Sequence, residues 1–160
     1  MRFAGPLPSL LLSLLFIGSA GLPGFSENAP SQPQYSLMAL TELKAGTMGH
    51  YSATATINKA NIDVMVDTGA SVVALSYEDA QNAGLRPNTL DFTVPVSTAN
   101  GSVKAARVKL DRVEIDTVRV DDVDALVLPQ GALNGTLLGM SFLSKLSSFK
   151  SENGVLTLKN

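Results

Sequence analysis

An all-β domain, barrel-like and carrying two short helices, is the fold this sequence predicts. Three observations carry that expectation. Apolar residues recur with a period of two over short runs, not with a helical period over long ones. Turn-forming pairs such as Asn100-Gly101 and Asn153-Gly154 punctuate those runs. The chain of 160 residues is long enough for one domain with a modest core.

The elements follow in order. Residues 51–57 alternate loosely through Thr and Ala, and Asn58-Lys59-Ala60-Asn61 supplies turn residues. Residues 62–66 form the next strand, so the two runs read as a hairpin. Residues 72–75 leave the following turn as another strand. One helix comes next: Ser76 can cap it, Asp79 stands three residues on, and Gly84 occupies the position of a helix-ending glycine. Residues 92–96 are extended, and Pro95 marks an edge strand. Val108 and Leu110 then alternate, after which the apolar phase jumps to Val113 and Ile115 and again to Val118 and Val120. Each jump falls on a polar pair, Asp111-Arg112 and Asp116-Thr117, so tight reversals are expected at both. The Asp121-Asp122-Val123-Asp124 cluster reads as a solvated turn, lacking the glycine and terminal Glu of a calcium loop. Leu126-Val127-Leu128 reads as core and not as a ligand groove. Residues 140–146 look helical, pairing Phe142 with Leu146, and 155–158 form a last strand.

Residues 1–25 read as a signal peptide or an N-terminal membrane anchor. Arg2 is the only charge before Glu27, residues 10–17 are an apolar run, and Gly18-Ser19-Ala20 are small enough for a cleavage site. The uncharged stretch 3–25 is long enough to serve as a tether. Pro6, Pro8 and Pro23 disfavour a spanning helix and favour cleavage. The expected location is periplasmic or anchored in an inner membrane facing the periplasm, and secreted where no periplasm exists. Residues 26–45, with Pro30, Ser31, Gln32, Pro33 and Gln34, read as a linker. The folded domain is expected over 46–160.

Composition narrows the chemistry. Lys and Arg number 12 against 14 Asp and Glu, and the basic residues are scattered singly, so no nucleic-acid footprint is present. With no Cys and a single His, His50, the sequence offers no thiolate nucleophile, no Cys-ligated zinc and no ready Ser-His-Asp triad. Carboxylates remain. Were such a chain to hydrolyse a peptide without metal, Cys or an activated Ser, one carboxylate would take a proton from water while a partner acid gave one to the carbonyl oxygen. Two carboxyls held close share a proton and divide these roles.

The run Val64-Met65-Val66-Asp67-Thr68-Gly69-Ala70-Ser71 places such an acid at the end of an apolar strand. Gly69 permits close backbone approach, and the Thr68 hydroxyl can lock the turn. Asp67-Thr68-Gly69-Ala70-Ser71 resembles the aspartic peptidase signature. Leu137-Leu138-Gly139 resembles the hydrophobic-hydrophobic-Gly element that family sets behind its active turn, and Thr98-Ala99-Asn100-Gly101 lies where it carries a flap hairpin. Order and spacing over 46–160 resemble the single-domain retropepsin-like peptidases, and specifically their exported or membrane-anchored bacterial branch.

The resemblance implies a retropepsin-like acid-protease barrel and an aspartic endopeptidase acting on proteins or peptides. Asp67 would be the catalytic acid/base, with Thr68, Gly69 and Ala70 supporting the active turn. Thr98, Ala99, Asn100 and Gly101 would cover an extended peptide, and Leu137, Leu138 and Gly139 would pack behind the site. No cofactor and no metal is required. The only other Asp-Thr pair, Asp116-Thr117, is followed by Val118 in place of Gly. Two chains must therefore each supply an Asp67, so a homodimer is expected, with 155–158 helping to close it by analogy. The alternative is a catalytically silent retropepsin-like binding or scaffold module.

Overall fold

The computed structural model describes residues 38–98 and 101–160. Its strands are β1 (Leu40–Lys44), β2 (Ser52–Ile57), β3 (Ala60–Val66), β4 (Val73–Leu75), β5 (Phe92–Thr98), β6 (Gly101–Ile115), β7 (Val118–Val127), β8 (Thr136–Leu138), β9 (Ser148–Glu152) and β10 (Val155–Lys159). Helix α1 (Tyr77–Asn82) follows β4 and helix α2 (Met140–Leu143) follows β8, with a 3-10 turn at Pro87–Thr89. The expected leader at 1–25, the linker up to residue 37, and flap residues Ala99 and Asn100 lie outside the described residues. Among the described residues no helix is long and apolar enough to cross a membrane.

Six strands close into a ring in the order β2-β3-β8-β4-β7-β6, with β6 returning to β2 through Thr56↔Glu114 and Ile57↔Val113. Closure removes the sheet edges, and β5 hangs on β6 outside the ring. Inward-facing residues of the ring and one side of α2 fill the interior. Ile57, Leu75, Leu110, Ile115, Leu138, Phe142 and Leu143 are among those fully buried.

Local chemistry explains the connections. Asn58 (φ 48°) and Lys59 (φ 78°) both take the left-handed conformation that a two-residue β2–β3 hairpin demands. Asn153 (φ 51°) and Gly154 (φ 76°) do the same between β9 and β10. Helix α1 is capped as its sequence suggests: the Asp79 amide donates to Ser76 Oγ at 3.1 Å. It ends in a Schellman motif, with Leu85 N donating to Ala80 O, Gly84 N donating to Gln81 O, and Gly84 at φ 78°. Helix α2 is shorter than expected, one turn ending at Ser144.

The phase jump at Asp111-Arg112 is not a reversal. Strand β6 continues through it unbroken, and the register with β7 is kept from Leu110↔Val123 to Arg112↔Asp121. Both strands expose two consecutive residues at the same level, Asp111-Arg112 and Asp121-Asp122. Asp122 bends to φ 56° to permit it. A matched kink restores the buried face as effectively as a turn does, and it lets one strand serve β5 at one end and β2 at the other. The second jump, at Asp116-Thr117, is a true hairpin with Ile115 opposite Val118.

The Asp121–Asp124 cluster is thus strand, and cations neutralise it. Arg119 and Arg112 both hydrogen-bond Asp121 at 3.0–3.1 Å, and Lys109 pairs with Asp124 at 3.0 Å. The bond from Arg119, then that from Arg112, holds the Asp121 carboxyl below its ordinary range, and Lys109 does so for Asp124. A depressed folded-state pKa stabilises above the ordinary carboxylate pKa, and the contribution fades as pH falls through the lowered value. Asp121→Asn should therefore lower stability slightly at neutral pH, with the difference from wild type shrinking below about pH 4. Because both groups are exposed, added salt should reduce it further. Urea unfolding at the two pH values measures this.

The domain starts earlier than expected. Residues 40–44, assigned above to the linker, form β1, which pairs along its length with β10 from Leu40↔Lys159 to Lys44↔Val155 and buries Leu43. A strand whose partner lies at the other end of the chain leaves little local trace. Strand β9 completes a small sheet in the order β1-β10-β9. Strand β10, which contains 155–158, therefore has both edges paired within its own chain and none free for a partner.

Candidate active site

Strand β3 ends at Val66 and delivers Asp67 into a turn that returns as β4. Between those two strands lies β8, parallel to β3 (Met65↔Leu137, Val66↔Leu138) and antiparallel to β4 (Ala74↔Leu137). The turn must open wide enough to admit β8, and backbone hydrogen bonds hold it there. Asp67 N donates to Leu138 O at 3.1 Å, Met140 N to Ala70 O at 2.8 Å, and Ala70 N to Asp67 O at 3.2 Å. Gly139 is wedged against this turn: a Cβ on it would lie 2.7 Å from Ala70 O and closer still to Val72 O. Ser141 adds a further brace, accepting from Val73 N at 2.9 Å and donating to Asp124 O at 2.6 Å.

The carboxyl is aimed from within the turn. Gly69 N donates to Asp67 Oδ1 at 2.8 Å, which fixes one oxygen and leaves the other for a ligand. A Cβ on Gly69 would crowd that same oxygen at 3.1 Å. Asp67 and Ala70 are half-buried, while Thr68 and Gly69 are exposed. The Thr68 hydroxyl makes no hydrogen bond among the described residues.

A groove of about 670 Å³ opens over the turn. Asp67, Gly69 and Ala70 form part of its floor, with Ser71, Val72 and Ala74 beside them. Val94, Val96 and Thr98 of β5 form one wall, and Leu126, Leu128, Leu133 and Asn134 the other. Asp67 is the only charged residue among the described ones that line it. Within the expected flap, Thr98 lines the groove and donates to Gly101 O at 2.8 Å, while Gly101 takes φ 114°.

Two expectations change here. Leu126, half-buried, lines the groove because strand alternation turns it away from the wholly buried Val127, whereas Leu128, just past β7, touches the groove and is still buried as core, 3% exposed. Leu137, expected purely as packing behind the site, also reaches the groove, whereas Leu138 is fully buried and Gly139 sits under the turn. Val94, Val96 and Leu133 escape sequence reasoning because nothing local distinguishes a groove-facing apolar residue from a core one. A single carboxylate in such a place can accept or donate a proton but cannot do both at once. Among the described residues that line the groove, no second acid accompanies Asp67.

Comparison with known proteins supplies the context. Residues 53–145 match the family model described as "gag-polyprotein putative aspartyl protease". The crystal structure of a retropepsin-like aspartic protease from Rickettsia conorii is 34% identical, covering 76% of this chain and 91% of that one, with a TM-score of 0.69. The EIAV protease complexed with the inhibitor HBY-793 shares the fold at 18% identity and a TM-score of 0.51, over 63% of this chain and 91% of that one. An uncharacterised protein from the cobV 5′ region of a Sinorhizobium species is 44% identical over 112 residues, 70% of this chain and 48% of its own length. The uncharacterised protein RP867 of Rickettsia prowazekii is 41% identical over 110 residues, 69% of this chain and 47% of its own. The chain spans about half the length of these curated relatives.

Proposed function

This chain belongs to the retropepsin-like aspartic peptidase family, and from that premise we propose that it is an aspartic endopeptidase whose active site forms between two copies. The observation that carries the reading is the Asp67 turn itself, a half-buried carboxylate held by Gly69 N in a groove with no second acid among the described residues that line it. In a two-fold dimer each Asp67 faces its own copy. Two carboxyls so placed share one proton and divide the roles of acid and base. The ionised one draws a proton from water as the water oxygen attacks the peptide carbonyl, and the protonated one gives its proton to the carbonyl oxygen. Collapse of the tetrahedral species breaks the C–N bond: the amine leaves with the proton taken from water, while one hydroxyl of the gem-diol gives its proton back to the other carboxylate, re-forming the carbonyl and the one-proton pair. The exposed hydroxyl of Thr68, which bonds no other group among the described residues, supports a contact with the second copy beside the acids. The β5–β6 hairpin supports a role in covering the bound strand.

Dilution tests the dimer. Activity per chain on an unstructured protein substrate should fall as concentration drops through the dimer dissociation constant. Specific activity that stays constant far below that constant would contradict the proposal.

The groove's lining supports substrates with apolar side chains beside the scissile bond. Leu133→Lys places a charge on that wall from a half-buried position. It should lower kcat/KM for such peptides by about tenfold to a hundredfold, since an unpaired charge must be desolvated by the substrate. The melting temperature should change little. Peptide kinetics beside thermal unfolding separate the two effects. The proposed site of action is outside the cytoplasm, supported by Arg2 and the apolar run at 10–17.

A further inference from the structure

An edge strand presents unpaired N–H and C=O groups, a template for another strand. The barrel ring is closed. Outside it, β5 has a free edge, but Pro95 interrupts its donors and the strand lines the groove. In the small sheet β10 is paired on both sides, and β1 rests against the β6–β7 turn, with Thr117 Oγ1 donating to Leu40 O and Thr41 Oγ1 to Ile115 O. Strand β9 differs from all of these. It pairs with β10 on one side only, its five residues are all exposed, and it holds neither proline nor glycine. Phe149 stands on its barrel-facing side opposite the fully buried Leu158, yet remains 36% exposed.

We infer that β9 pairs antiparallel with β9 of a second copy, about a two-fold axis through Ser151, and that this edge joins the two half-sites. The inference rests on the dimeric reading above and adds where the copies meet and in what register. A two-fold axis normal to the sheet keeps each residue on its own face, so facing residues differ by an even number. An axis at Lys150 sets two lysines opposite each other, which is destabilising. An axis at Phe149 leaves Glu152 beyond the partner's strand. An axis at Ser151 sets Lys150 opposite Glu152 of the partner subunit, twice. Since Lys150 Nζ already lies 2.8 Å from Glu152 Oε2 within one chain, the dimer gains a square of alternating charges. Tyr51 ties this edge to the chemistry. Its hydroxyl lies 2.7 Å from Ser151 Oγ, and its carbonyl accepts from Val66 N, the residue before Asp67.

The chain has no cysteine, so single substitutions can report the register. The variants S151C, K150C and F149C of the full chain are oxidised mildly and run on non-reducing gels. Copies of an on-axis residue have Cα atoms about 4.5–5.5 Å apart, within disulfide reach, and the off-axis pairs do not. S151C should cross-link at least about tenfold faster than the others, and the linked protein should keep its activity per chain at dilutions where wild type loses it. K150E and E152K should each raise the dimer dissociation constant by several-fold to about tenfold, and the double reversal should restore it. Fastest linking by F149C or K150C overturns the register. No linking by any variant, with a dimer still present in sedimentation, overturns the β9 edge and leaves the dimeric peptidase standing. A monomer that cleaves substrate refutes the reading beneath both.

Discussion

Asp67→Asn should lower kcat/KM by at least about a thousandfold while leaving the fold and the dimer intact. A positioned proton-transfer group contributes on the order of 10²–10⁴ in rate, and in the proposed dimer the same residue would supply both the acid and the base. The substitution is nearly isosteric. The amide oxygen can still accept the 2.8 Å bond from Gly69 N, so the turn keeps its shape and the melting temperature should shift by only a few degrees. What is lost is the ability to take and give a proton. Cleavage of an unstructured protein across about pH 4–7, beside circular dichroism and sedimentation of both proteins, measures this. Equal activity in the two would mean that the carboxylate is not catalytic and would leave a silent binding module as the surviving account.

Gly139→Ala should be the most damaging small substitution for stability. The three nearest neighbours of the added methyl are all backbone: Val72 O and C, the latter at 2.6 Å, and Ala70 O at 2.7 Å. No flexible side chain can yield, so the 138–140 segment must retreat from the active turn. Retreat strains or breaks the 2.8 Å bond from Met140 N to Ala70 O. A loss of about 3–5 kcal/mol is expected, at the upper end for single substitutions, with activity falling even where the protein stays folded. Gly84→Ala is the control. Gly84 has open space around it but sits at φ 78°, so only backbone strain of about 1–2 kcal/mol applies. Urea unfolding of the three proteins decides the matter, and a Gly139→Ala cost no larger than that of Gly84→Ala would mean that the close approach is soft.

The parts of this molecule that sequence reveals are those written in local chemistry. Asp67 and Gly69 stand in a turn whose residue types admit few other uses, and Leu137-Leu138-Gly139 marks the strand that fills it. Ser76 and Gly84 bracket α1 because capping depends on residues a few positions apart. The misreadings have a common cause, since each depends on what lies across the sheet. At Asp111-Arg112 the phase jump is compatible with a turn or a kink, and only the matched exposure of Asp121-Asp122 on β7 makes it a kink. Strand β1 is held by β10, at the far end of the sequence. Strand β9 exposes all five residues and so carries no hydrophobic period. Leu126 is indistinguishable from a core residue until β4, β5 and the 129–135 loop leave a groove beside it.

Mixing wild-type chains with Asp67→Asn chains tests the central claim most directly. Wild type is held at one concentration, the variant is titrated in, and subunits are allowed to exchange before substrate is added. If two copies each contribute one aspartate, mixed dimers carry a single acid, and activity should fall towards zero as the variant reaches excess. Activity that stays flat across the titration, with mixed dimers shown to form, would place the whole catalytic apparatus within one chain and contradict the account.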